Sequence, residues 1–299
     1  MQHILESQQF DRAFLESLFQ SATELEGKRD SYLKGKILAS LFYEPSTRTR
    51  LSFESAMLRL GGSVLGTENA GEFSSAMKGE TLEDTIRVIG RYADVIVLRH
   101  PQAGASDRAA SVSPVPIINA GDGAGQHPTQ ALLDLYTINR ERGSIDGARI
   151  ACVGDLKNGR AVRSMVYLLA KFDGISFTFV SPPELAMQAD IKEYLGRHNI
   201  PFTETADLEE AMRSSDVVYQ TRLQKERFAD KADAERFAGM YTITHALADT
   251  MKEGAIIMHP LPRVDEISLD TDTSPHAAYF KEAYYGLLIR MALLKHLFS

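Results

Sequence analysis

The sequence predicts an α/β fold made of two doubly wound parallel-sheet domains with a cleft between them. Two observations predict it. The chain has 299 residues, more than one hydrophobic core usually organises, so two domains of ordinary size are expected. Short apolar, β-rich segments also alternate with helical patterns along almost the whole chain, which is typical of strand–helix–strand units and parallel sheets.

The predicted strands follow one another at spacings that leave room for a helix between most pairs. Each is a short run of mainly apolar residues, such as DVIVL at 94–98 and RIACV at 149–153. The complete set of predicted strands is 36–42, 63–66, 94–98, 115–118, 149–153, 175–180, 216–219 and 255–258.

A polar segment, ERGSIDG at 141–147, separates a helical pattern from a new strand and contains two glycines. Such segments mark loops, so we place the domain boundary there, with a first domain at 1–140 and a second at 141–299. The last run, about 276–299, predicts a closing helix. Its apolar side is too long to leave in water, and we expect it to pack back on the first domain.

The composition limits the classes of partner. A net charge of −7 provides no field for gathering nucleic acid, so any anionic substrate must be bound by a local cluster of arginines. No apolar run approaches the roughly 20 residues of a membrane span, and the amino terminus lacks a basic segment followed by an apolar one. The single cysteine, Cys152, fits a reducing compartment. We therefore expect a cytoplasmic protein with neither nucleic acid nor membrane as partner.

The segment EPSTRTR, residues 44–50, joins the first predicted strand to a helix whose apolar residues recur at i, i+3, i+4 and i+7 from Phe53. Ser46 or Thr47 is a candidate N-cap. Unpaired N–H groups and the positive end of the helix dipole favour an anion at such a place. The side-chain donors are Ser46, Thr47, Arg48, Thr49 and Arg50. A capped surface helix with solvated arginines is the alternative, but the density of donors favours a phosphate site.

Two more segments follow predicted strands of the first domain, where open α/β sheets bind their ligands. One carries Arg99 and His100 after DVIVL. The other, GDGAGQHPTQ, is a glycine-rich turn that ends at His127, with Pro128 at a helix N1 position and Gln130 in the first turn. Each histidine alone is more often structural, but together with the anion loop the segments indicate one site.

The second domain carries residues suited to carboxylates. Arg160 follows the turn GDLKNG, and Arg222 and Gln224 follow the strand DVVYQ. Arginine binds carboxylates in a planar, bidentate way. The turn does not match G-x-G-x-x-G, so dinucleotide binding is rejected. In the later segment HPLPR, prolines flank Leu261 and leave free carbonyl oxygens.

Covalent and metal-dependent chemistry are not favoured. The sequence has no G-x-S-x-G elbow, and Cys152 lies inside an apolar strand, where a buried and inert thiol is expected. The histidines form no H-x-x-x-H pair and there is no second cysteine. We therefore predict no metal and no cofactor.

The segment EPSTRTRLSFE resembles the carbamoyl phosphate loop of the transcarbamylase family, and the resemblance extends over essentially the whole chain. It implies that Ser46, Thr47, Arg48 and Thr49 bind the phosphate. It also implies that Thr49, Arg99 and His127 point at the carbonyl oxygen, with His127 as a hydrogen-bond donor, and that Gln130 meets the carbamoyl amide. The remaining implied roles are carbonyl acceptors for the carbamoyl NH₂ at Leu261 and Pro262, and carboxylate binding by Arg160, Arg222 and Gln224.

The loop SSAMKGETLEDT carries Ser74 and Lys78 ahead of a helix that is predicted to be capped by Thr81, with Asp84 completing a capping box. The resemblance implies that Ser74 and Lys78 enter the active site of the neighbouring subunit, with Lys78 also meeting the second substrate, and that the chain forms a homotrimer with shared sites. The family includes free trimers and assemblies with a regulatory chain or other pyrimidine enzymes. Both kinds of partner therefore stay open.

Three positions favour the aspartate-specific catalytic chains over the ornithine-specific branch. Thr129 stands where ornithine relatives usually carry cysteine, the segment 221–227 is TRLQKER, and HPLPR replaces HCLP. Pro45 and Arg163 depart from the aspartate pattern without removing a named contact. The implied reaction transfers a carbamoyl group from carbamoyl phosphate to the α-amine of L-aspartate, in de novo pyrimidine biosynthesis. A catalytically silent subunit is the alternative, but Arg48, Thr49, Lys78, Arg99, His127, Arg160 and Arg222 are all present.

Overall fold

The computed structural model describes residues 3–68, 79–123, 125–225, 228 and 235–299. The chain divides into a first unit of residues 1–133 with 284–299 and a second unit of residues 134–283. Each unit is built on one sheet whose paired strands are all parallel, and helices connect consecutive strands. The predicted α/β class with parallel sheets is therefore confirmed.

The first unit holds a sheet in the order β2-β1-β3-β4. The strands at 37–42, 95–100 and 117–122 are nearly fully buried, as expected when helices cover both faces of a parallel sheet, whereas the edge strand at 63–68 is partly exposed, with Leu65 48% exposed. Its elements are α1 (Arg12–Glu24), β1 (Ile37–Phe42), α2 (Thr47–Arg59), β2 (Ser63–Glu68), α3 (Leu82–Ile89), β3 (Val95–His100), α4 (Ala105–Val112), β4 (Ile117–Asp122) and the start of α5 (Pro128–Arg142).

The second unit holds a sheet in the order β7-β6-β5-β8-β9. A core cluster that includes Val153, Val218 and Ile257 lies against this sheet. After the end of α5 its elements are β5 (Arg149–Val153), α6 (Arg160–Leu169), β6 (Ser176–Val180), α7 (Ala189–Arg197), β7 (Phe202–Thr205), α8 (Leu208–Ser214), β8 (Val217–Gln220), α9 (His245–Ala248), β9 (Ile256–Met258) and the start of α10 (Tyr279–Leu297). Short 3₁₀ helices lie at Ser7–Gln9, Pro183–Leu185 and Leu269–Thr273.

The closing helix α10 ends against the first unit, as predicted. The ring of His296 packs edge-on against Phe14, with 5.0 Å between ring centroids. The Tyr32 hydroxyl donates to the Phe298 carbonyl at 3.5 Å, and the Lys36 ammonium lies 5.5 Å from the centre of the Phe298 ring. In the described part of the chain, none of the helices is both long enough and apolar enough to cross a membrane.

The structure corrects one predicted strand and adds one that was not predicted. The predicted strand 115–118 is observed at Ile117–Asp122, because polar residues at its carboxyl end are accommodated by hydrogen bonds instead of ending the strand. The Asn119 amide, for example, donates to the Leu5 carbonyl at 2.9 Å. Strand β7 was not predicted, because it is an edge strand whose sequence, FTET, has two exposed polar residues and little apolar signal.

Candidate functional site

The first sheet reverses its direction of growth between β1 and β3. The chain passes from β1 outward to β2 and then returns to β3 on the other side of β1. In open α/β sheets, ligands bind outside the carboxyl ends of the strands at such a switch point. The loop at 44–46 leaves β1 here, and Arg99 is the penultimate residue of the neighbouring strand β3. The fold therefore brings two of the predicted segments to one edge of this sheet.

Helix α2 begins at that edge with Ser46 as its N-cap. The Ser46 carbonyl accepts the first helical hydrogen bond, from the Arg50 N–H at 3.0 Å. The backbone N–H groups of Thr47, Arg48 and Thr49 therefore precede the helical ladder and can donate to a ligand. The Ser46 side chain accepts no capping bond from the described residues of α2, which leaves its hydroxyl for another role.

The side chains of this first turn differ in exposure. Thr47 and Arg48 are exposed, whereas Thr49 is 7% exposed. The Arg50 guanidinium lies 3.7 Å from the Glu54 carboxylate, one turn along the same helix. Arg50 thus belongs to an i,i+4 pair of α2. The residues of α2 that can meet an anion at its amino end are Thr47, Arg48 and Thr49, preceded by Ser46.

Arg99 is oriented by two parts of the first unit. Its Nε lies 3.5 Å from Oε2 of Glu44, and its Nη1 donates to the Ala120 carbonyl at 3.2 Å. Its side chain is only 15% exposed. A guanidinium fixed in this way can stabilise negative charge without reorganising.

His100, beside Arg99, has a structural role. Its Nδ1 accepts the Gln102 N–H at 3.1 Å, and its ring lies against Tyr43 with 4.9 Å between centroids. Burial lowers the pKa of His100 below its usual value, with the charge of Arg108 adding to the effect. A neutral, packed imidazole is the expected state.

The turn that precedes His127 is organised by Asp122, a residue for which no role was predicted from the sequence. Asp122 is 5% exposed. Its Oδ1 accepts the Gln126 N–H at 3.0 Å and its Oδ2 accepts the Gly104 N–H at 2.9 Å. The sequence does contain a signal for this role, since Asp122 lies between two glycines that follow a predicted strand.

His127 and Gln130 then enter at the start of α5. They are 7% and 8% exposed, and the Gln130 N–H donates to the His127 carbonyl at 3.0 Å. The turn between β4 and α5 needs glycine at position 123. Gly123 has φ of 50°, and an added Cβ would lie 2.5 Å from the Pro101 carbonyl oxygen.

The second sheet has its switch point between β5 and β8, since β6 and β7 extend one side and β8 and β9 the other. The turn after β5 leads to Arg160, the first residue of α6, and the loop after β8 carries Arg222 and Gln224. The two segments touch at Gly154, where φ is 108° and an added Cβ would lie 2.4 Å from the Thr221 carbonyl oxygen. Only glycine permits this close approach.

Asp155 joins the same two segments, a role that no sequence motif had indicated. It is 1% exposed. One carboxylate oxygen accepts the Asn158 N–H at 3.1 Å and the other accepts the Gln224 N–H at 3.2 Å. Arg160, Arg222 and Gln224 are each partly exposed, and Arg222 donates to the Leu223 carbonyl at 3.2 Å. Two guanidinium groups at one switch point suit a ligand with carboxylates.

The remaining predicted residues fall in three places. Leu261 and Pro262 lie in the turn after β9 and are joined by a cis peptide bond. Arg163 is paired with Asp190 and also donates to Gln188 at 3.0 Å, so it serves the packing of α6. Ser74 and Lys78 lie outside the described residues.

Family models match both parts of the chain. The model described as the carbamoyl-P binding domain of aspartate/ornithine carbamoyltransferase matches residues 2–140. The model described as the Asp/Orn binding domain of the same family matches residues 146–297.

Individual relatives carry the name of the same family. The chain is 56% identical over 298 residues to aspartate carbamoyltransferase 3, chloroplastic, of Pisum sativum, covering 98% of this chain and 76% of that protein. It is 57% identical over 265 residues to the aspartate carbamoyltransferase catalytic subunit of Methanocaldococcus jannaschii, covering 89% of this chain and 86% of that protein.

Among solved structures, aspartate transcarbamoylase from Trypanosoma cruzi in complex with carbamoyl phosphate and aspartate superposes with a TM-score of 0.93 at 45% identity, covering 98% of this chain and 96% of that chain. The T. cruzi protein has also been solved in complex with N-(phosphonacetyl)-L-aspartic acid, with a TM-score of 0.93 at 44% identity and coverage of 98% and 95%.

Proposed function

We propose that this chain, which belongs to the aspartate/ornithine carbamoyltransferase family, transfers the carbamoyl group of carbamoyl phosphate to the α-amine of L-aspartate. The products are N-carbamoyl-L-aspartate and phosphate, in a step of de novo pyrimidine biosynthesis. One observation carries the proposal: the switch point of each sheet is occupied by donors for anions, at 46–49 and Arg99 in the first unit and at Arg160 and Arg222 in the second.

In the proposed reaction, the first unit binds carbamoyl phosphate. The phosphate is held at the amino end of α2 by Ser46, Thr47, Arg48 and Thr49. The aspartate amine attacks the carbonyl carbon, the carbonyl oxygen gains negative charge, and the bond from carbon to the phosphate oxygen breaks with its electrons leaving on phosphate. Thr49, Arg99 and His127 stabilise the oxygen, which is usually the largest catalytic contribution.

Other groups orient the carbamoyl amide. Gln130 meets it from α5, and the Leu261 and Pro262 carbonyls accept from its NH₂ group. His127 acts as a hydrogen-bond donor and not as a nucleophile. The leaving phosphate can take the proton that the amine loses, and a side chain in the same role is the alternative.

Arg160, Arg222 and Gln224 are proposed to bind the carboxylates of L-aspartate. The side-chain ammonium of L-ornithine would meet two guanidinium groups instead of a matching anion, which disfavours it. The names of the relatives support the same choice, because both proteins described above are aspartate carbamoyltransferases.

We further propose a cytoplasmic homotrimer in which Ser74 and Lys78 of each chain complete the site of its neighbour, Lys78 also meeting L-aspartate. A regulatory chain, or another pyrimidine enzyme, is the expected kind of additional partner, and the M. jannaschii relative is itself described as a catalytic subunit. The test is to mix two inactive variants, Arg48→Ala and Lys78→Ala, and let them reassemble. Activity in the mixture supports shared sites, whereas a mixture as inactive as its components contradicts them.

The function itself is tested by binding of N-(phosphonacetyl)-L-aspartate, which joins a phosphonate to a dicarboxylate. We expect calorimetry to show binding that both carbamoyl phosphate and L-aspartate weaken by competition. L-ornithine should compete poorly. No binding of the analogue, or equal competition by the two amino acids, would contradict the proposal.

A further inference from the structure

The turn after β9 is closed by a buried contact between a histidine and a glutamate. His259 Nε2 lies 2.7 Å from Glu266 Oε1, and the two residues are 1% and 7% exposed. The His259 N–H donates to Oε2 of Glu282 at 2.8 Å, which ties the same residue to the first turn of α10. Residues 259–266 therefore form a turn with a clamped base, which we call the proline turn.

The other ring nitrogen of His259 holds the inside of the proline turn. Its Nδ1 accepts the Leu261 N–H at 2.7 Å. Since a backbone N–H can only donate, Nδ1 carries no proton, and Nε2 carries the proton that is donated to Glu266. Oε2 of Glu266 accepts the Val264 and Asp265 N–H groups at 3.2 and 3.1 Å. One carboxylate thus fixes both the ring and the far side of the turn.

Leu261 depends on this anchor. It has φ of 50°, in the left-handed region that branched aliphatic residues rarely adopt. Its neighbours Pro260 and Pro262 have no N–H, so Leu261 supplies the one backbone donor of residues 260–262. The hydrogen bond from the Leu261 N–H to His259 Nδ1 therefore restrains the peptide groups on either side of Leu261.

We propose that His259, clamped by Glu266, is a positioning residue that directs the Leu261 carbonyl toward an NH₂ donor and so makes the enzyme prefer carbamoyl phosphate to acyl phosphates that lack one. The inference rests on the proposed function, in which the Leu261 and Pro262 carbonyls accept from the carbamoyl NH₂. A carbonyl that is aimed at NH₂ gains a hydrogen bond, whereas facing a methyl group it loses its solvent and gains no partner.

Acetyl phosphate is the matched probe, because it carries the same phosphate and carbonyl with a methyl group in place of NH₂. Dissociation constants for both phosphates would be measured on the unchanged protein and on His259→Ala and His259→Asn. We expect His259→Ala to reduce the preference for carbamoyl phosphate about tenfold, the effect of one well-placed hydrogen bond. Its affinity for acetyl phosphate should not fall, because the released carbonyl no longer has to face the methyl group without a partner.

His259→Asn tests the anchor separately from the clamp. The Asn side chain places an oxygen near the position of Nδ1, so it can accept the Leu261 N–H without reaching Glu266. We expect it to retain most of the preference. The matched control is His276→Ala, since the Nδ1 of His276 contacts the Ala255 carbonyl oxygen at 2.7 Å in the same unit and this variant should leave the preference unchanged.

Loss of affinity for both phosphates by the same factor in His259→Ala would overturn the inference, because it indicates a general structural role. An unchanged preference would overturn it as well. If His259→Ala does not fold, Glu266→Gln and His259→Asn decide: we expect the first to lower the preference more than the second, and the reverse order contradicts the proposal. Failure of the proposed function is distinguishable, because the unchanged protein would then not bind carbamoyl phosphate.

Discussion

The guanidinium group of Arg99 and the carboxylate of Glu44 form an ion pair, with 3.5 Å between Nε and Oε2. Glu44 lies in the loop after β1 and Arg99 in β3, so the pair spans the switch point of the first sheet. It orients Arg99 together with the Ala120 carbonyl. Preorganisation of this kind makes a charged donor effective at an oxyanion.

We predict that Arg99→Ala lowers kcat about 100-fold or more, as for the loss of an oxyanion donor. Glu44→Gln should lower kcat about fivefold, because it weakens the orientation of Arg99 by about 1 kcal/mol while keeping the guanidinium group. Steady-state kinetics measure both. The control is Glu83→Gln, which removes a charge from an exposed pair with Arg108 in the same unit and should not change kcat. Equal effects of the two glutamate substitutions would contradict a specific role for Glu44.

Arg48→Ala should weaken phosphate binding about 10- to 100-fold without unfolding the protein. Arg48 is exposed in the first turn of α2, so its removal costs little stability, whereas a charge-assisted contact to phosphate contributes about 1.5–3 kcal/mol. Calorimetry with inorganic phosphate and thermal unfolding measure the two effects. Arg59→Ala, in the last turn of the same helix, is the control. Unchanged phosphate affinity in Arg48→Ala would contradict the assignment of phosphate binding to the amino end of α2.

Arg222→Ala should raise KM for L-aspartate about 10- to 100-fold and leave binding of carbamoyl phosphate unchanged, because a bidentate contact to a carboxylate is lost. Initial rates with each substrate varied in turn separate the two constants. Arg213→Ala removes an arginine that pairs with Glu209 within α8 and serves as control. A selective effect on KM for carbamoyl phosphate would contradict the assignment of Arg222 to L-aspartate.

The parts of the fold predicted from sequence are those with a strong apolar signal. RIACV was predicted as a strand at 149–153 and is observed with the same bounds. Thr81 was predicted as an N-cap, and its hydroxyl accepts the Asp84 N–H at 3.1 Å. These features depend on short-range patterns, which a single sequence contains.

The orienting residues could not be predicted in the same way. Asp122 and Asp155 are buried carboxylates whose partners Gly104 and Gln224 are distant in sequence. Their roles depend on which loops the sheet order brings together. The carboxyl end of β4 was missed for a related reason, since a buried Asn119 is tolerated only because the amino-terminal segment supplies an acceptor.

Cys152 should be chemically inert in the folded protein. Its side chain is fully buried in β5, and burial raises the pKa of the thiol well above its usual value. Reaction with a thiol reagent should therefore follow global unfolding, and Cys152→Ala should keep full kcat. Labelling in increasing urea measures this. Rapid labelling of the native protein, or loss of turnover in the variant, would contradict it.

Asp216 should make the second unit sensitive to acid. Burial opposes its ionisation, but bonds from the Lys252 ammonium at 2.9 Å and the Arg149 N–H at 2.8 Å hold its pKa below the ordinary 3.8. The pKa of Asp216 is lower in the folded protein than in the unfolded chain. Its contribution to stability is therefore complete when the pH is above the unfolded pKa, and it is lost as the pH falls through the folded pKa. Urea unfolding across this range should show a smaller pH dependence for Asp216→Asn. The exposed Asp107→Asn should behave as the unchanged protein, and an identical acid dependence of Asp216→Asn would contradict the account.

Carbamoyl transfer itself is tested by an assay with purified protein and carbamoyl phosphate, in which L-aspartate and L-ornithine are offered in parallel and both phosphate and ureido product are measured. We predict ureido product with L-aspartate alone, in equal amount to the phosphate released. Product with L-ornithine alone, or with neither amino acid, would contradict the proposed function.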